Sequence, residues 1–199
     1  MNALLQRLAP SATDMIRADH TRVLAAFHRY DVSGSPAVKL ALVNTICLAL
    51  EVHAQIEEEI FYPALRSIDP GVIDKSIPEH DEMRRRIASL RQMDASSALY
   101  DDTVMELMRN VMHHVADEET VLLPDAERSL GDRLEELGAT MTKRRLELVA
   151  PKTLEIAWNT ARALPASNVL MGAGALALVA MMLAGGRRRR RFPIGRRLA

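Results

Sequence analysis

Apolar positions recur along most of the chain three and four residues apart, and no stretch alternates apolar and polar residues with period two. That rhythm predicts helices and an all-α fold. Met15, Ile16, Val23, Leu24 and Phe27 form the first apolar set, with Thr13 or Asp14 placed to cap the free N–H groups ahead of it. Asp31-Val32-Ser33-Gly34-Ser35-Pro36 is a loop, and Pro36 opens a second helix over 36–67. Val38, Leu42, Ile46, Ala49, Val52 and Ile56 are its expected buried face, and Pro63 predicts a kink or an early end. Asp69-Pro70-Gly71 reads as a turn, after which Ile77-Pro78-Glu79 starts a third helix reaching Met93. A fourth covers 97–130 with Pro124 inside it, Gly131 ends it, and a fifth covers 132–149. The first four are expected to be antiparallel neighbours joined by short loops, an up-down four-helix bundle followed by C-terminal helices.

Composition narrows this further. Aromatic residues make up only 4% of the 199, while helix-forming Ala, Leu, Met and Arg are common, which argues against an all-β fold. A single cysteine, Cys47, excludes an internal disulfide framework and any CxxC metal site. The formal charge of zero hides two unlike parts. Residues 187–199 hold seven Arg and no acid, leaving 19 basic against 26 acidic residues in 1–186. An acidic body makes nucleic acid a poor partner, and the basic tail suits an anionic surface.

The chemistry lies in an internal repeat. His53-Ala54-Gln55-Ile56-Glu57-Glu58 leads to Pro63, and His114-Val115-Ala116-Asp117-Glu118-Glu119 leads to Pro124; both read H-x3-E-E-x4-P. Each copy has an acidic-His pair upstream: Asp19-His20 precedes His53 by 33 residues, and Glu79-His80 precedes His114 by 34. Residues i and i+4 share one helix face, so His53 with Glu57, and His114 with Glu118, can point into one interior. His20 and His80 add an imidazole from each remaining helix. Buried imidazoles and carboxylates are costly unless paired or bound to metal, so four His and two Glu converging from four helices suit two metal ions. Nitrogen and oxygen ligands without thiolate favour iron, with manganese or zinc as alternatives. The absence of HExxH removes the helical zinc-protease reading.

These residues, over about 14–130, resemble the hemerythrin, or HHE cation-binding, superfamily. The resemblance implies a hemerythrin-like four-helix bundle with two non-haem iron ions and an open position for O2 or a similar small ligand. Carried over by motif, the metal ligands would be His20, His53, Glu57, His80, His114 and Glu118. There is one departure: oxygen-carrying members place a second His four residues beyond the one on the third helix, and this chain has Arg84 there. The more general HHE pattern is the better fit.

Other features are expected to be plainer. His28 and His113 are read as non-ligands, Glu58 and Glu119 as surface or supporting groups, Tyr62 as core, and Cys47 as a small buried residue. Met105, Met108 and Met112 are read as core, and Arg84-Arg85-Arg86 and Lys143-Arg144-Arg145 as solvated faces. Residues 169–186, VLMGAGALALVAMMLAGG, carry no charge. Eighteen helical residues span about 27 Å, near the lower limit for crossing a bilayer.

The expected organisation is a metal-binding domain over 1–150, an amphipathic linker over 151–165, a membrane helix over 166–186 and an Arg-rich tail over 187–199. The N-terminus, MNALLQRLAPSATDM, is a poor secretory signal. That favours a bacterial inner-membrane association with the metal domain cytoplasmic, although the arginine tail taken alone would favour the cytoplasmic face for itself. The expected function is a membrane-associated diiron protein that binds or senses O2, nitric oxide or peroxide. The alternatives are a diiron redox enzyme removing peroxide or NO, and an iron-storage or structural metal protein. The sequence leaves open whether a substrate is turned over.

Overall fold

In the computed structural model the residues described are 9–153 and 158–159. The chain divides into two compact units, 1–163 and 164–199, and every described residue belongs to the first. The expected membrane helix, the arginine tail and most of the linker lie outside the described residues. Among those described there is no strand, and the predicted all-α class holds.

Helix α1 is Ala12–His28, α2 Pro36–Ile56, α3 Tyr62–Leu65, α4 Pro70–Leu90, α5 Ala98–Asp117, α6 Leu123–Leu130 and α7 Arg133–Val149. Contacts run from α1 to α2, from α2 to α4, from α4 to α5 and from α5 back to α1, while α7 lies against α1 and α2. Local chemistry sets the ends. Ser11, not Thr13 or Asp14, caps α1, its hydroxyl accepting from the Asp14 N–H. Asp69 caps α4 by accepting from Val72 N–H, with Pro70 just inside, so the third long helix begins well before the expected start at Ile77. The Asp-Pro-Gly signal is there, but it serves as an N-terminus rather than a free-standing turn. Pro78 sits within α4, which is carried through by buried Ile73, His80, Met83 and Ile87.

The other interior prolines do not break their helices either. Between α2 and α3 the chain makes one π-helical turn, Glu57–Phe61, closed by Tyr62 N–H on Glu57 C=O. The second copy repeats it: Glu118–Leu122 closes by Leu123 N–H on Glu118 C=O. Pro63 and Pro124 follow directly. The wider turn inserts one extra residue, so a residue lacking an N–H enters while the helical segments follow one another without a gap.

Two apolar clusters form the core. One gathers Ile16, Ile56, Phe61, Leu65, Leu122 and Leu123; the other gathers Phe27, Ile46, Ile87, Tyr100, Leu107 and Val111. Along α1, Met15 and Ile16 belong to the first cluster and Val23 and Phe27 to the second, with His20 between them. Val38 and Ala49 face outward rather than into the core, and Met112 is also exposed. Residues Pro36–Leu65 are apolar and long enough to cross a bilayer, but 61% of their most apolar window is buried, as befits a core element.

Candidate metal centre

The structure brings all six predicted residues into one polar layer between the two apolar clusters. His20, His53, His80, His114, Glu57 and Glu118 are each at most 4% exposed. The imidazoles form two close pairs, His20 with His53 at 5.0 Å and His80 with His114 at 4.6 Å between ring centres. The carboxylates lie among them. Glu57 Oε2 is 3.2 Å from His53 Nε2 and 3.4 Å from His80 Nε2. Glu118 Oε2 is 3.3 Å from His20 Nε2 and 3.6 Å from His114 Nε2. Each glutamate therefore reaches across to the other half of the repeat.

What keeps the Nε2 atoms inward is a set of acids behind the rings. His20 Nδ1 lies 2.9 Å from Glu119, His80 Nδ1 2.8 Å from Glu58, His114 Nδ1 3.1 Å from Glu79 and His53 Nδ1 3.6 Å from Asp19. An imidazole that donates Nδ1–H to a carboxylate presents the Nε2 lone pair as a ligand and gains basicity. The second glutamate of each motif copy orients a histidine of the other copy. The acid preceding each upstream histidine orients the motif histidine of its own copy. Asp19 and Glu79 belong to the repeat but carry no role in the sequence reading; their recurrence beside each upstream His is the signal that marks them.

Two further residues differ from expectation. Tyr62 does not merely pack in the core: its hydroxyl donates to Glu118 Oε1 at 2.8 Å and lies 3.3 Å from Glu57 Oε2. Arg84 does not merely sit on a solvated face. It grips both oxygens of Glu58 at 2.8 Å, so the position that departs from the oxygen-carrier pattern supports His80 indirectly. His28 and His113 are exposed. Cys47 is buried, and burial pushes its thiol up to about 12.

The layer is poorly satisfied by protein alone. His20 Nε2, His53 Nε2, Glu57 Oε1 and Glu118 Oε2 are buried without a hydrogen-bond partner, a costly state that a cation would relieve. Burial, then the neighbouring Glu118, holds Glu57 well above the ordinary carboxylate range. Burial presses Glu118 the same way, but His114, His20 and His53 outweigh it and bring its carboxyl below that range. Burial pulls His53 down to about 4. Two overlapping donor sets, His53, Glu57, His80, His114 and His20, His53, Glu57, Glu118, each keep their ligand atoms within 4.8 Å of one another. Imidazole and carboxylate donors at this density fit a divalent or trivalent transition metal.

The family model described as the hemerythrin HHE cation binding domain matches residues 11–126. A Nostoc sp. protein named DNA nickase is 31% identical over 131 residues, 65% of this chain. The chain spans only 37% of that protein's length. The crystal structure of a hemerythrin HHE cation binding domain-containing protein from Mycobacterium kansasii matches with a TM-score of 0.62 at 21% identity, over 82% of this chain and 99% of that one.

Proposed function

The chain belongs to the hemerythrin HHE cation-binding domain family, and from that premise we propose that it is a non-haem diiron protein that binds or senses O2, nitric oxide or peroxide. The observation that carries the reading is the pair of imidazole pairs with two carboxylates between them, all six buried and backed by orienting acids. On this reading His20, His53, Glu57, His80, His114 and Glu118 are the ligands, and the helices α1, α2, α4 and α5 form an up-down four-helix bundle. Iron there would supply reversible electron transfer and an open position for a small ligand. The protein's part is to hold Nε2 atoms inward, exclude bulk water between two apolar clusters, and offer the Tyr62 hydroxyl as a hydrogen-bond donor beside Glu118.

Redox turnover of peroxide or NO is the second reading. Tyr62 favours it, because it places an O–H donor at the site that the other copy lacks: the equivalent position is Leu123. The name of the Nostoc relative does not extend to this chain. The chain spans a minor part of that protein, and 26 acidic against 19 basic residues over 1–186 oppose a polyanionic substrate.

We also propose that 1–150 is the metal domain, that 151–165 links it to a membrane-associated segment over 166–186, and that the arginines of 187–199 meet anionic lipid. The metal domain would then lie on the cytoplasmic face of a bacterial inner membrane. Protease digestion of sealed inverted vesicles checks the placement; a domain shielded inside them would reverse the orientation. For the centre itself, metal analysis after production in ample iron, with optical spectra before and after O2 exposure, is decisive. Two irons per chain and an O2-sensitive near-ultraviolet band are expected, and far fewer than two metals would end the reading.

A further inference from the structure

Each acid behind a histidine is itself held by a cation. Arg84 grips Glu58, Arg17 Nε lies 3.3 Å from Glu119, and Lys75 Nζ lies 3.8 Å from Glu79. Those three cations come from α1 and α4, helices that also supply predicted ligands. The fourth does not. Arg145 makes a two-pronged contact with Asp19, one N–H to Oδ1 at 2.9 Å and another to Oδ2. It stands on α7, which contributes none of the six residues and lies beyond the 11–126 that the family model covers.

We infer that Arg145 is a positioning residue for the metal centre: through Asp19 it fixes the ring of His53, and so ties α7 to the site. The inference rests on reading the six residues as metal ligands. Four observations carry it. His53 belongs to both donor sets, so its orientation bears on both metal positions. His53–Asp19, at 3.6 Å, is the one of the four imidazole–acid contacts longer than a hydrogen bond, so the acid acts on the ring through its charge, and that action depends on where the carboxylate is held. Arg22 also reaches Asp19, at 3.0 Å, but its side chain is 68% exposed against 24% for Arg145. Beside the pair lies a cavity of about 220 Å³ with Val23, Leu48, Val52 and Val149 in its wall. Apolar walls raise the worth of a charged hydrogen bond made next to them.

The competing account is that Arg145 only docks α7. Its neighbour supplies the control. Arg144 bonds Glu59 at 2.6 and 3.0 Å, also from α7, and Glu59 otherwise bonds Gln55 rather than a histidine. The experiment titrates Co2+ anaerobically into the full chain and reads the visible d–d band, the stoichiometry and the affinity. Arg145→Leu is expected to weaken Co2+ binding about 10-fold, the lower end of the range for losing support behind a ligating histidine, and to shift the band. Arg145→Lys should recover most of both, and Arg144→Leu should match wild type in both. Unchanged binding and band in Arg145→Leu, or an equal effect in Arg144→Leu, would overturn the inference. If Arg145→Leu does not fold, Asp19→Asn reads the same link without altering α7, and a wild-type band there overturns it too. Wild-type protein that takes up no pair of Co2+ ions would instead sink the diiron reading on which the inference stands.

Discussion

Glu58, the second glutamate of the first motif copy, accepts from Nδ1 of His80, a histidine of the other copy, at 2.8 Å. Glu119 does the same for His20 at 2.9 Å. The halves of the repeat are thus interlocked behind the ligands as well as through them. Glu58→Ala and Glu119→Ala should each lower metal affinity about 10- to 100-fold with the helix content unchanged. Glu59→Ala, one residue along, should leave it unaltered. Equilibrium dialysis against Fe2+ or Co2+ separates the three, and equal affinities would show that the acids are incidental.

Tyr62 breaks the likeness between the halves. Its hydroxyl is the hydrogen-bond donor to Glu118 Oε1, and both groups are buried. Tyr62→Phe should keep two metals per chain while shifting the optical spectrum, because it removes a bond to a candidate ligand and no ligand itself. In the metal-free protein the same change leaves a buried carboxylate oxygen unpaired, at a cost of about 1–3 kcal/mol. A metal-loaded spectrum identical to wild type would return Tyr62 to a packing role.

Gly138 is where α7 meets the start of α1. A Cβ placed there would lie 2.1 Å from Pro10 C=O and within 3 Å of the Ser11 and Ala12 backbone. Backbone cannot swing aside as a side chain can. Gly138→Ala should therefore destabilise the protein by about 1–3 kcal/mol through overpacking. Thermal unfolding followed by circular dichroism checks it, and an unchanged midpoint would mean that α7 does not dock as described.

Metal binding and pH are linked with a definite sign. Burial works against charge on His20 and His114, but Glu118 and Glu57 outweigh it, and both imidazoles are raised above the usual 6.5. Glu57 is raised as well, by burial and by Glu118. Groups raised in the folded state stabilise it below their unfolded pKa values, and that contribution is lost as pH rises through the folded ones. His53 runs the other way, but at about 4 against 6.5 it has finished titrating in both states above neutrality. The metal-free protein should accordingly lose stability as pH rises above 6.5. Metal expels these protons, so the loaded protein should lack that decline and bind more weakly as pH falls. Melting midpoints at several pH values, with proton release followed by an indicator dye, test both halves; a metal-free midpoint that rises with pH contradicts them.

Much of this protein is legible in its sequence because helices have a fixed period. One turn per 3.6 residues stacks His53 over Glu57 and His114 over Glu118, and the repeated spacing marks His20 and His80 as their partners. The all-α class follows from the same periodicity. What the period does not supply is anything set by contact between helices. Asp19, Glu58, Glu79 and Glu119 sit next to the expected ligands in sequence, but only the packing of one helix on another decides which ring each acid faces. Pro63 spells a kink or an early end, yet the helix runs on through it, as it does through Pro124, each proline following a π turn whose flanking apolar residues are buried on both sides. Arg84 and Arg145 read as solvated charge, since a run of basic residues carries no mark of the carboxylate that a neighbouring helix will bring to it. The ligand types and their spacing are thus determined locally, while the acids, cations and phenol that orient them are decided by tertiary structure, where residues as far apart in the chain as Asp19 and Arg145 come within hydrogen-bonding reach.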